Sequence, residues 1–261
     1  MYDLVEAIDI RRSVRKFEDK CINEEDKEEI QRIITSLEPI ESEVDIHFEL
    51  IEQGDLVQEH FGGLLDRYFK VKAPAYIAIS AKESEHYLEN VGYMGEALVL
   101  ELTRLKIGTC WVGSIGEDNI PETFKTPNGH KYIITIAIGY TEDDFRWEIE
   151  PDRKNRKTYE DFVTGDYEPD MIPIFKSIEK SPSSLNSQPW EITAEGLLVH
   201  FYLQNNNIFT KNYLKELNYI DLGIAMKHFE TEMNEIGKEF KWQHLKINDK
   251  ETRKYIYTAN C

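Results

Sequence analysis

Two short runs of this chain concentrate cations against an acidic background. Arg11-Arg12-Ser13-Val14-Arg15-Lys16 and Arg153-Lys154-Asn155-Arg156-Lys157 each hold four basic residues, in a chain with 31 Lys and Arg, 49 Asp and Glu and a net charge of −18. Guanidinium groups grip phosphate through paired, charge-assisted hydrogen bonds, and a serine hydroxyl can add another. The same runs could instead cap helix ends and pair with the abundant acids, and neither run alone decides between these readings. A third run, SPSSLNSQPW at 181–190, offers hydroxyls, Asn and Gln amides and two prolines. A stiff edge of fixed donors and acceptors suits a flat heteroaromatic or a polyol. An ordinary loop before a strand would read the same way.

Other chemistries lack their residues. The serines sit in no GxSxG elbow and have no histidine beside them. The seven histidines show no HExxH or paired metal spacing, so no metal site is expected. Neither a GxGxxG after a strand nor a GxxxxGK[ST] loop occurs. Three cysteines without a CxxC pair predict reduced thiols and a cytoplasmic protein. The opening residues do not read as a secretory signal, and no apolar run approaches the ~20 residues of a membrane span. So acidic a chain repels nucleic acid and anionic membranes, and its charge mostly supports solubility.

The elements that must carry these runs follow from periodicity. Leu4–Ile10 reads as a helix leading into the arginines. A second helix starts at the N-cap Asn23 and carries Ile30, Ile33, Ile34 and Leu37 at helical spacing. The alternation in EVDIHFELIE predicts a strand with Val44, Ile46, Phe48 and Leu50 on one face. The runs AYIAIS and YIITIAIGY predict central strands buried on both faces. The stretch 91–108 between them is apolar nearly all round, as a buried helix would be. The second half repeats the plan: strands in EIT and LLVHFYL, a helix at 218–237, then strands in FKWQHLKI and KYIYT. Both long helices close on Ile-Gly, a short gap and Trp, at Trp111 and Trp242. An α+β fold of two duplicated repeats is expected, 1–166 and 167–261, joined near the proline-bearing YEPDMIP at 167–173.

RRSVRKF, KAPAYIAIS, GYMGEALVLELTRLKIGTCWVG, IAIGY, NRKTYEDF and SPSSLNSQPW together resemble blocks of the FMN-dependent nitroreductase family, in its single-chain duplicated branch. The resemblance spans essentially the whole chain. In that family each FMN lies at a homodimer interface, where one subunit gives the arginine block and its partner the PSSxN loop. Here Arg11 and Ser183 are about 170 positions apart. LEPIESEV stands where the first half would have its own loop, and MIPIFKSIEK lacks the paired arginines. The resemblance therefore implies a fused dimer, functional as a monomer, with one FMN between its repeats.

Carried over by position, it implies that Arg11, Arg12 and Ser13 hold phosphate and ribityl groups, with Arg15 near the pyrimidine edge of the flavin. Lys154 and Arg156 would add a basic pair at the phosphate. Pro182, Ser183, Ser184 and Asn186 would flank the dimethylbenzene side, while Leu185 could be simple packing. Trp111, Gly113 and Ser114 would give backbone contacts to the ring. The implied activity is ping-pong hydride transfer from NADH or NADPH through FMN to a small electron acceptor, with no catalytic side chain because the cofactor carries the chemistry. The alternatives are a non-catalytic flavin-binding protein of the same fold, or specialised flavin chemistry such as reductive dehalogenation.

Overall fold

A computed structural model describes residues 3–59, 71–113, 124–141, 147, 154–204 and 212–261. The chain forms two compact units, residues 1–87 with 97–151, and residues 88–96 with 152–261. The architecture mixes helices with two sheets, the α+β class expected from the sequence.

In the first unit α1 (Leu4–Ile10) begins at a capping box between Asp3 and Glu6, and α2 (Glu24–Ser36) begins where the Asn23 side chain accepts from the Asp26 amide. Strands β1 (Ile46–Ile51), β2 (Ala75–Ala81), β3 (Gly108–Val112) and β4 (Lys131–Gly139) form an antiparallel sheet in the order β1-β2-β4-β3. The short α3 (Gly54–Gln58) follows β1. Every residue of β2 is buried, as its unbroken apolar run requires. In β1, however, Phe48 and Ile51 are the buried residues, and they lie on opposite faces. Ile51 is enclosed with Val57, Val71 and Ala73, so the chain leaving β1 covers the sheet's second face and overrides simple alternation.

Helix α4 (Tyr87–Arg104) starts earlier than its pattern suggests, and its residues 88–96 belong to the second unit. That unit also holds α5 (Tyr159–Phe162), β5 (Val163–Asp166), α6 (Ile172–Glu179), β6 (Trp190–Glu195), β7 (Leu198–Gln204), α7 (Asn212–Glu235), β8 (Lys241–Gln243) and β9 (Arg253–Asn260). Its sheet has the order β5-β6-β7-β9-β8, antiparallel except for the β5–β6 pair. The strand expected over FKWQHLKI shrinks to three residues, because the Tyr255 hydroxyl and the Asp249 carboxylate accept the Leu245 and Tyr255 amides and draw the chain off the ladder.

Leaving out β5, the two sheets share one strand order, and a long helix joins the second strand to the third in each. Both also carry a β-bulge in the last strand. Ile133 falls between the paired residues Tyr132 and Ile134, and Ile256 falls between Tyr255 and Tyr257. One extra residue returns positions i and i+3 to the same face. The Tyr132 hydroxyl accordingly meets Thr135 Oγ1 at 2.7 Å, and the Tyr255 hydroxyl meets Thr258 Oγ1 at 2.7 Å.

Within the second unit α4 and α7 cross through paired glycines. A Cβ on Gly92 would run into the Ile220 carbonyl, 2.8 Å from its carbon, and one on Gly223 would run into the Glu89 carbonyl, also 2.8 Å from its carbon. The contact is reciprocal: Glu89 and Ile220 are 131 positions apart, as are Gly92 and Gly223. Beside this crossing His228 and Glu96, both fully buried, meet at 2.9 Å, and the other imidazole nitrogen reaches the Ser177 carbonyl at 2.9 Å.

Candidate functional site

The arginine run is strapped to the edge of the first sheet. Arg11 closes α1, its amide bonding the Ala7 carbonyl. From there the chain turns extended, with Val14 N donating to Thr109 O at 2.8 Å and Ser13 forming a parallel bridge to Thr109. Gly108 makes the approach possible, since a Cβ there would lie 3.1 Å from Val14 Cγ1 and 2.8 Å from Thr141 Cγ2. Arg11 is 5% exposed, Arg12 and Ser13 are half-buried and Arg15 is exposed. Arg12 Nε reaches the Ile10 carbonyl and an Arg15 Nη reaches that of Ser13, both at 3.4 Å.

Cys110 is the strand residue beside this cluster. Burial pushes its thiol pKa up, while the Arg15 and Arg11 charges and the Ser13 hydroxyl pull it down. Trp111 and Gly113 are half-buried, at the end of an edge strand whose alternate backbone groups point away from its neighbour. The structure thus gathers Arg11, Ser13 and Arg15 around Thr109 and Cys110. Ser114 lies outside the described residues.

In the second unit the later basic run and the PSS loop are knitted together. The Asn155 carbonyl accepts from Asn186 Nδ2 at 2.9 Å and from Gln188 Nε2 at 3.2 Å. Lys157 donates its amide to Gln188 Oε1 at 2.8 Å and its ammonium to the Gln188 carbonyl at 2.9 Å, and burial pushes its pKa down. Lys154 is exposed and Arg156 half-buried. Residues Ser184–Asn186 form a single 3₁₀ turn, and Gln188 N returns to Ser183 Oγ at 3.0 Å. Pro182 is buried, and Trp190 is fully buried against Phe162 at the start of β6. The tryptophan that ends the motif is therefore core, and it fixes one end of the loop.

Three non-glycine residues of this loop hold positive φ: Leu185 at 51°, Asn186 at 58° and Gln188 at 47°. Each left-handed side-chain-bearing residue costs on the order of 1 kcal/mol, so other contacts must sustain the shape. Leu185, which could have been simple packing, is 69% exposed. From α7 Asp221, 4% exposed, accepts the Ser184 amide on both carboxylate oxygens at 3.0 Å and the Ser187 hydroxyl at 3.4 Å. Burial pushes the Asp221 pKa up to about 7, against the pull of the Ser184 amide, the Ser187 hydroxyl and the Arg156 charge.

Asp221 had no place in the expected site, and Gln188, Asn155 and Lys157, visible only as members of their runs, act here by tying those runs together. The available signal for Asp221 was a lone acid inside the apolar stretch YIDLGIAM.

A family model described as "Putative TM nitroreductase" matches residues 3–233. The chain belongs to this nitroreductase family. None of the curated proteins matches it in sequence. A Thermotoga maritima protein described as a "putative nitroreductase", solved as a crystal structure, is similar over 99% of this chain and 94% of its own, at 22% identity and a TM-score of 0.65, so the two share a fold. A nitroreductase family protein of Clostridium novyi NT covers 56% of this chain and 88% of its own, at 21% identity and a TM-score of 0.47. A nitroreductase of Bacteroides fragilis, crystallised with bound FMN, covers 60% of this chain and 96% of its own, at 20% identity and a TM-score of 0.48. Among the described residues no helix of this nitroreductase family member is long and apolar enough to cross a membrane.

Proposed function

We propose that the chain is an FMN-dependent NAD(P)H oxidoreductase, built as a fused pseudo-dimer that holds one FMN and works as a monomer. The observation that carries the reading is the assembly of two sequence-distant blocks, 154–157 and 183–188, into one hydrogen-bonded unit. A loop that keeps three left-handed residues in place is better suited to presenting groups to a ligand than to linking strands. Duplication is supported by the shared strand order, the matched bulges with their Tyr–Thr bonds, and the reciprocal glycine crossing.

The donor set fits the cofactor. Arg11, Arg12 and Ser13 would hold its phosphate and ribityl chain, with Lys154 and Arg156 adding charge. Trp111, Gly113 and Ser114 would contact its ring through the backbone, and Pro182, Ser183, Ser184 and Asn186 would border the ring edge. When bound, FMN supplies hydride chemistry, so no side chain need act as nucleophile or proton donor. Arg15, exposed beside β3, would favour negative charge at the pyrimidine edge. The work left to the protein is to bind, orient and exclude water. The donor would be NADH or NADPH, and the acceptor a small molecule such as a nitroaromatic or quinone.

The test is the visible spectrum and flavin content of purified protein, followed by NAD(P)H oxidation. A yellow protein with a flavin-to-chain ratio near one and steady turnover is expected. A ratio near two would overturn the single site, and a colourless protein that takes up no added FMN would overturn the cofactor assignment.

A further inference from the structure

The strained loop needs something to hold it, and α7 provides it from the interior. Two independent observations converge on Asp221. The first is geometric: both carboxylate oxygens serve the Ser184 amide at 3.0 Å, and Oδ2 also takes the Ser187 hydroxyl at 3.4 Å, so the acid binds on both sides of Leu185 and Asn186. A carboxylate that takes a backbone amide and a hydroxyl offers charge-assisted bonds, roughly twice as strong as neutral ones.

The second observation comes from the helix crossing. The reciprocal glycine contacts match residues 131 positions apart, which sets Asp221 against Asn90. Asn90 is fully buried and donates Nδ2 to the Tyr257 hydroxyl at 3.4 Å. The acid stands at the position whose half of the chain carries the PSS loop, and the amide stands at the position whose half carries LEPIESEV instead. The Arg156 charge also favours the ionised Asp221, less than the Ser184 amide and the Ser187 hydroxyl do, and it comes from the segment to which the loop is tied.

We propose that Asp221 is the positioning residue of the cofactor loop: its carboxylate locks Ser184 and Ser187, sets the left-handed backbone of Leu185, Asn186 and Gln188, and thereby sets flavin affinity. This rests on the FMN reading above. It assigns Asp221 no contact with the flavin; the residue acts through the loop, so its effect is one of preorganisation.

Asp221→Asn keeps the side-chain shape and removes the charge, and Leu185→Gly removes the conformational cost that the charge offsets. In ligand-free protein held at a pH above the Asp221 pKa of about 7, where the carboxylate is charged, the Ser184 amide should exchange its hydrogen at least tenfold faster in Asp221→Asn than in wild type. FMN affinity, titrated by the quenching of flavin fluorescence, should fall on the order of tenfold to a hundredfold, the range for one hydrogen bond to a charged group. Adding Leu185→Gly to Asp221→Asn should recover a few-fold of that loss, since glycine takes φ near 50° without penalty. A purely structural role would lower stability without this recovery. If wild type binds FMN and Asp221→Asn binds it equally well with unchanged Ser184 exchange, Asp221 does not position the loop. If wild type binds no FMN, the cofactor reading fails, and this inference with it; accelerated exchange would then leave only a structural clamp.

Discussion

Replacing either crossing glycine by alanine tests the helix packing at the heart of the second unit. In an open helix the change would stabilise by about 1 kcal/mol, because alanine loses less backbone freedom on folding. Here the new Cβ would run into a backbone carbonyl, Ile220 from Gly92 and Glu89 from Gly223, with the carbonyl carbon at 2.8 Å where ordinary contact begins at 3.4 Å. A carbonyl within a helix cannot swing aside as a side chain can, and its oxygen lies nearer than its carbon, so the two helices must part by more than the shortfall at the carbon. A gap of 0.5–1 Å forfeits about a quarter to a half of the dispersion energy of the atoms on either side. Overpacking of this kind costs about 1–3 kcal/mol. Set against the propensity gain, a net loss of about 1 kcal/mol, reaching at most about 2, is expected for Gly92→Ala and for Gly223→Ala, read as a lower urea midpoint at unchanged slope. The two sites share one crossing, so the double variant should cost less than the sum, with a coupling of about 1 kcal/mol. Gly237→Ala is the control, because nothing lies within 4 Å of its Cβ position and only its positive φ opposes the change. Single variants as stable as wild type, or strictly additive losses, would refute the reciprocal crossing.

Arg11→Ala and Arg156→Ala should each weaken FMN binding by roughly 1.5–3 kcal/mol, measured by fluorescence titration; full flavin occupancy in both would remove the phosphate assignment. Asp221 should make stability fall as pH rises. Its folded pKa of about 7 lies above the ordinary 3.8, so between those values the folded chain holds the extra proton. The loss should approach at most about 1.4 kcal/mol per pH unit, seen as the difference between wild-type and Asp221→Asn denaturation curves; a flat difference would contradict it. His228→Ala should cost about 3–5 kcal/mol by removing the imidazole that meets the buried Glu96 carboxyl. Glu96→Gln, whose amide can still donate to the imidazole, should cost under about 1.5 kcal/mol in the same assay, and equal losses in the two variants would contradict this.

Much of the frame was legible in the chain, for identifiable reasons. Asn23 announces α2 because its side chain can take the Asp26 amide, and β2 reads as a central strand because nothing polar interrupts it. What stayed hidden was set by contacts distant in sequence. Gly108 read as the close of the long helix and 109–112 as a short gap, yet Gly108–Val112 is an edge strand, with Gly108 leaving room for Val14 against it. FKWQHLKI has a strand's composition, but the Tyr255 hydroxyl and the Asp249 carboxylate divert it after three residues. In the site, the two polar blocks were visible, but not that Asn155 and Lys157 are tied to Gln188, because no local pattern encodes a bond across some thirty residues. Asn186 was expected to spend its amide on a ligand; its Nδ2 is committed to Asn155, which leaves its Oδ1 as the group to offer.

Matched positions in the two halves keep their packing at the bulges and differ where the loop is held. Lys131-Tyr132-Ile133-Ile134-Thr135 and Lys254-Tyr255-Ile256-Tyr257-Thr258 keep the same bulge and the same tyrosine–threonine bond, although nothing at either bulge belongs to the proposed site. Packing that common ancestry would preserve is therefore shared where function exerts no pull. At the helix crossing the backbone match continues through Glu89 and Ile220, then the side chains part at Asn90 and Asp221. An ionised carboxylate only accepts hydrogen bonds, whereas a carboxamide also donates. The acceptor serves a loop that presents an amide and a hydroxyl, and the donor serves the Tyr257 hydroxyl. Exchanging them would leave a buried carboxylate without those donors at one position and an uncharged clamp at the other. On the proposed reading the divergence of one buried pair would record which repeat kept its loop, and it would tie a count of one flavin per chain to a residue that acts only through that loop.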